Sequence, residues 1–178
     1  MNGESSQPGI EPLFDAGTVR DSVAALGRKL GEELGSEDPL LIALLGGSVI
    51  FLADLVRAIE RPVRYELIDV AYGEEGSGVL RIQYPIPIDI EGQSVVVLKD
   101  VVSSAVTEPY LEQQLRDHGA RRVRFAALID LPEERKTAFD LHYRALTARR
   151  RGILVGYGLK HQGRYGNLPY VGWLADGA

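Results

Sequence analysis

A chain of 178 residues, 45% of them hydrophobic, is long enough to bury one core of ordinary size and too short for two average domains. Its net charge of -5 argues against a general nucleic-acid surface, which needs a basic face. The lack of cysteine excludes disulfides, thiolate nucleophiles and cysteine metal sites, and leaves a cytoplasmic location as the default expectation.

Residues 1–16 are expected to form a flexible tail; their start, MNGESSQPG, has neither the basic opening nor the apolar run of a secretory signal. From Thr18 to Leu34 the residues Val19, Val23, Leu26, Leu30 and Leu34 recur at spacings of three and four, which predicts an amphipathic helix. Leu40 to Leu45 is a continuous apolar run of strand length, as in a strand covered on both faces of a parallel sheet. Gly46-Gly47-Ser48 turns the chain, and helical spacing resumes from Val49 to Ile59. The apolar stretch from Leu40 to Ala53 is too short and too interrupted to span a bilayer.

Val63 to Ala71 reads as a strand, YGEEGSG as an exposed connection, and VLRIQ as a returning strand before the punctuating Pro85 and Pro87. Ser94 to Leu98 is the clearest buried strand, and it runs through KDVVSSAVT into a helix predicted from Glu108 to His118. Further strands are predicted at Arg122 to Ile129, Ile153 to Tyr157 and Tyr170 to Leu174. Strands alternating with helices predict a doubly wound α/β sheet, whose ligands sit beyond the carboxyl ends of its strands. The loops after Leu45, Leu98, Ile129 and Tyr157 are therefore expected to meet on one rim.

Five ordered blocks, LLGGSVIFLADLVRAI, PVRYELIDVAYGEEGSGVLRI, DIEGQSVVVLKDVVSSAVT, LIDLPEER and VGYGLKHQGRYGNLPYVGWL, resemble in order and spacing those of the hypoxanthine-guanine phosphoribosyltransferases. The resemblance runs from Thr18 to Leu174. It implies a type I phosphoribosyltransferase fold: a central, mostly parallel sheet flanked by helices, with a small hood, in one domain over residues 17–178. It also implies transfer of ribose 5-phosphate from phosphoribosyl pyrophosphate to a purine, with magnesium on the pyrophosphate. That chemistry asks for a carboxylate pair at the ribose, an acid near the purine, hydroxyls and N–H groups around the 5-phosphate, and cations at the pyrophosphate.

Set against those demands, the matching residues depart from the family's pattern. The acidic pair becomes Lys99-Asp100, the Asp-Thr-Gly of the phosphate loop becomes Ser103-Ser104-Ala105, and after Val106 the family's threonine is kept as Thr107. In the pyrophosphate loop, Leu45 replaces a lysine before Gly46-Gly47. In the purine pocket, Leu131 replaces the lysine that reads the exocyclic oxygen, and Ile153, beside Leu154, replaces the stacking aromatic ring. Lys160 stands for a magnesium-holding aspartate and Gly166 for an arginine on pyrophosphate. Tyr72 matches the active-site lid's tyrosine, next to Ala71 in place of a serine.

The expectation is therefore a hypoxanthine-guanine phosphoribosyltransferase-like protein that has lost magnesium-dependent transfer, with no metal site and no cofactor. It keeps at most an assembly role or a site for a small anion (phosphate, a nucleotide monophosphate or phosphoribosyl pyrophosphate) cradled by residues 103–107 and helped by Lys99 and Lys160. The alternative is an active purine salvage transferase that needs magnesium and draws its acids from Asp100, Asp130 and Glu74, with Ser103 at the catalytic loop. The family's habit implies a homodimer or homotetramer, and no membrane or nucleic-acid partner is expected. Plainer readings stand beside these: Ser and Thr before a helix are equally ordinary caps, and for Lys99 and Lys160, each taken alone, solvent is favoured over a phosphate contact. Arg149-Arg150-Arg151 reads as a solvated face, Glu74 and Glu75 as solubilising, and His118, His142 and His161 show no metal-ligand spacing.

Overall fold

The computed structural model describes residues 9–72, 80–83, 89–149 and 152–175. Its main sheet has the order β4-β3-β2-β5-β6-β7. The members are β2 (Leu40–Leu44), β3 (Arg64–Tyr72), β4 (Leu80–Gln83), β5 (Ser94–Val102), β6 (Arg122–Asp130) and β7 (Tyr143–Thr147). Every pair is parallel except β3 with the edge strand β4. The apolar runs of β2, β5 and β6 occupy the interior of the sheet, where both faces are covered, so Ile42, Val96, Val97, Leu98, Phe125 and Leu128 are fully buried. This is the α/β, mostly parallel architecture that the strand and helix alternation predicts.

One face is covered by α1 (Ala16–Glu33) and α2 (Ser48–Arg57), and the other by α3 (Glu108–Asp117). The α1 stripe buries Val19, Val23, Leu26 and Leu30, and the Asp15 carboxylate caps it by accepting the Thr18 N–H at 2.7 Å. The two helices on that face touch at backbone level, since a Cβ on Gly27 would lie 2.5 Å from the Ala58 Cβ. Among the described residues no helix is long and apolar enough to cross a membrane.

A second, antiparallel sheet has the order β1-β9-β8, with β1 (Ile10–Phe14), β8 (Ile153–Val155) and β9 (Val171–Leu174). It is the hood of the fold. It corrects the expectation of a flexible tail over residues 1–16: Ile10 to Phe14 are paired in the hood, and Ile10 packs with Val155, Leu168, Tyr170 and Leu174. A five-residue strand after a glycine has too short a pattern to read, and its partner lies at the far end of the chain. The strand β7 is also absent from the sequence reading, because Tyr143–Thr147 carries an arginine in a run too short for periodicity. Residues 1–8, Glu74, Glu75, Pro85, Pro87, Arg150 and Arg151 lie outside the described residues.

At the amino ends of β5 and β6, Glu37 gathers Arg124 through two hydrogen bonds of 2.9 and 3.1 Å, Arg122 at 2.9 Å and the Ser94 hydroxyl at 2.9 Å. The Arg124 fork is the main cause that holds the Glu37 carboxyl at about 2, against an ordinary 4.5. Because the folded value is the lower one, the stabilisation is complete above about 4.5 and is lost as pH falls through about 2. Replacing Glu37 by Gln is expected to cost about 2 kcal/mol at pH 7, discounted for partial exposure. Urea titrations across pH should find that difference shrinking towards acid; a pH-independent difference would contradict the latch.

Candidate anion site on the carboxyl rim

Two loops meet at backbone level beyond the carboxyl end of β2, and the Asp100 side chain of β5 reaches one of them. A Cβ added to Gly47 would lie 2.2 Å from the Asp100 Oδ2, and one added to Gly158 would lie 2.3 Å from the Gly47 carbonyl oxygen. The second approach, to backbone, admits only glycine. The turn Gly156-Tyr157-Gly158 runs through positive φ at all three residues (95°, 50° and 94°). Tyr157 is held there by its hydroxyl, which donates to Asp54, and burial pushes its ionisation well above the ordinary range. The expected convergence of the rim loops is therefore present, and Asp100 sits at its centre with Oδ1 accepting its neighbour's N–H, that of Val101, at 2.8 Å.

Residues 103–107 link β5 to α3. Ser103, Ser104 and Thr107 are half-buried, Val106 is exposed, and Ala105 is buried with φ 56°, in the left-handed region that favours glycine. The capping reading of this loop is not what the structure has: Thr107 makes no side-chain cap, and its hydroxyl instead donates to Glu108 Oε2 at 3.1 Å. Lys99 also departs from expectation. It is not solvated, because its ammonium pairs with Glu108 Oε1 at 3.0 Å, with side-chain exposures of 14% and 4%.

Asp130, one of the nominated acids, is likewise engaged. It is buried between the guanidinium groups of Arg135 and Arg144, the latter at 2.7 Å. Leu131 is buried in the main core, Leu154 packs half-buried against that core, and Ile153 stands exposed on the hood. The residues read as a purine pocket are thus split between core and surface. Leu45 is 45% exposed, and next to it Gly46, Val49, Ile50, Gly158, Lys160 and Arg164 line an open groove of about 580 Å³. Lys160 lies along this groove with its stem over Gly166, where a Cβ would meet the Lys160 Cγ at 2.7 Å. His142 accepts the Phe125 N–H and has its pKa lowered chiefly by burial, which fits a structural role.

Glu108, Arg135, Arg144 and Thr137 all shape the rim, yet sequence reasoning missed them. Only Glu108 carried any signal, as an acid in a predicted first helical turn. Among the described residues no group of three or more His, Asp or Glu is placed to hold a metal ion.

A parallel sheet with an antiparallel hood, and a loop running from the carboxyl end of a central strand into a helix, define a protein of the phosphoribosyltransferase class. The model of the phosphoribosyl transferase domain matches residues 10–160. The chain is 36% identical over 172 residues to hypoxanthine-guanine phosphoribosyltransferase of Mycobacterium avium, covering 91% of this chain and 84% of that protein. It is 30% identical to the Streptococcus pneumoniae enzyme, covering 89% of each. A solved hypoxanthine phosphoribosyltransferase from Trypanosoma cruzi, complexed with IMP, superposes with a TM-score of 0.87 at 26% identity, over 96% of this chain and 94% of that one. A Bacillus anthracis hypoxanthine-guanine phosphoribosyltransferase does so with 0.83 at 28%, over 92% and 95%. The chain belongs to the hypoxanthine-guanine phosphoribosyltransferase family.

The Lys99–Glu108 pair gives a direct test of the rim's electrostatics. Lys99→Met should cost about 3 kcal/mol, because it leaves a buried carboxylate without its cation, while the double variant Lys99→Met/Glu108→Gln should regain most of that. Denaturant unfolding of the full cycle measures it; additive single effects would mean the two side chains do not interact.

Proposed function

We propose that the protein is a phosphoribosyltransferase relative without magnesium-dependent transfer, which takes a small phosphate-bearing anion, a nucleotide monophosphate or free phosphate, at residues 103–107. The reading rests chiefly on Lys99. Where the family's pattern has a carboxylate, this chain has an ammonium, and that ammonium is committed to Glu108 at 3.0 Å. Asp100 is then the one acid of the pair, and its Oδ2 lies close over Gly47, where a Cβ would stand.

Magnesium fits this donor set poorly. A hard dication asks for several oxygen ligands, while the groups at the family's metal-serving positions are Asp100, Lys99 and Lys160. Asp130, doubly paired with arginines, is not free to serve as a ligand or as a base. Lys160 and Arg164 supply positive charge along the groove, which suits an anion that arrives without its metal. Leu131 in the core in place of a lysine removes the group that would select a 6-oxopurine by its exocyclic oxygen.

A working purine phosphoribosyltransferase with altered catalytic groups is the second reading. Similarity over nine-tenths of the chain to proteins named for that activity favours it, as does the retention of Asp100. Assembly as a homodimer or homotetramer and a cytoplasmic location belong to the proposal under either reading, and light scattering tests the first of these.

The decisive measurement is pyrophosphate release by pure protein with magnesium, phosphoribosyl pyrophosphate and a panel of hypoxanthine, guanine, xanthine and adenine. No release above the protein-free control is expected, and magnesium-dependent turnover would establish the second reading instead. Calorimetric titration with inosine and guanosine monophosphates and with phosphate, in chelator, is expected to register binding. Absence of heat from all of them would remove the anion site.

A further inference from the structure

The carbonyl oxygens of four successive residues, from the last of β5 onward, are all taken by donors between Leu131 and Thr137. Val102 O accepts the Leu131 N–H at 2.9 Å and Arg135 Nη1 at 2.8 Å, and Ser103 O accepts the same Nη1 at 2.6 Å. Ser104 O accepts the Lys136 N–H at 2.9 Å, and Ala105 O accepts the Thr137 hydroxyl at 2.6 Å. The donors are a backbone N–H at the end of β6 and three consecutive residues just beyond the short 3₁₀ turn at Pro132–Glu134. Arg135 is itself fixed, because its second guanidinium nitrogen donates to the buried Asp130.

A trans peptide points its N–H opposite to its C=O. With the carbonyls of Ser103, Ser104 and Ala105 tied to residues 135–137, the N–H groups of Ser104, Ala105 and Val106 are turned away from that segment. We infer that Arg135 and Thr137 are the positioning residues of this loop: they orient its N–H groups as a fixed concave donor set and hold Ala105 in its positive φ. Neither side chain touches a ligand in this role. The cost of an alanine in the left-handed region, with φ 56°, explains why such a hold is needed. The Lys136 N–H holds the peptide before Ala105 and the Thr137 hydroxyl the peptide after it; without the hydroxyl the Ala105–Val106 peptide is free to rotate and the alanine to relax towards negative φ.

The inference deepens the anion reading of the preceding section and rests on it for its purpose, but its geometry is tested separately. In ¹⁵N-labelled full-length protein, backbone order parameters at residues 104–106 should be close to those of rigid structure, about 0.85. Thr137→Val, which keeps the shape and removes the hydroxyl, should lower them to below about 0.6 at those residues while β5 and α3 stay unchanged. Thr137→Ser should restore them. Arg135→Met should extend the loosening to Ser103, and Thr137→Val keeps the test open if that variant fails to fold.

Titration with inorganic phosphate adds the functional arm. Shifts at the amides of residues 104–106 are expected in the wild type, with affinity about tenfold weaker in Thr137→Val. If the wild type gives no phosphate-induced shift there, the anion reading falls and the order parameters still decide the positioning role. Unchanged order parameters in both Thr137→Val and Arg135→Met would overturn the inference.

Discussion

Asp130 is a carboxylate buried at the last position of β6, and the architecture of the rim follows from how its charge is satisfied. A buried anion is tolerable only when paired and hydrogen-bonded. Arg135 answers it from the loop that follows and Arg144 from β7 across the sheet edge. The Arg135 guanidinium, once held, has a spare nitrogen that reaches the end of β5. One electrostatic requirement thereby connects β6, β7 and the loop before α3, and the lacing by residues 135–137 completes it.

Charge is distributed unevenly between the two ends of the sheet. At the amino ends, Glu37 is surrounded by arginines and serves only cohesion, tying the turn after α1 to the starts of β5 and β6. At the carboxyl ends, Lys99 and Glu108 neutralise one another inside the protein, so the loop between them gains no net charge from either. The loop before α3 carries backbone dipoles and the hydroxyls of Ser103, Ser104 and Thr107, while Lys160 and Arg164 line the groove beside Gly46 and Gly158. On the proposed reading such a rim suits an anion held by dipole and cation, and among the described residues no cluster of three or more His, Asp or Glu is placed for a divalent ion.

The pattern of apolar runs was enough to locate both helices of the first face, the helix after residues 103–107 and seven of the strands to within a few residues, because burial on both faces of a parallel sheet leaves a signal in consecutive positions. The ordered blocks carried the family and with it the hood and the rim. The two missed strands, β1 and β7, are edge elements of five residues whose hydrogen-bond partners come from elsewhere in the chain.

The site was legible only as positions. That Lys99, Ser103 to Thr107 and Lys160 belong to one rim follows from strand order and loop placement, both of which the sequence determines through periodicity and motif spacing. What each side chain does was decided by tertiary structure alone. Lys99 turns to Glu108, nine residues on, and Asp130 to Arg144, fourteen residues on, while Thr137 reaches a carbonyl thirty-two residues behind it. Charges and hydroxyls choose among partners by distance and desolvation in the folded state, and neither quantity exists along an extended chain.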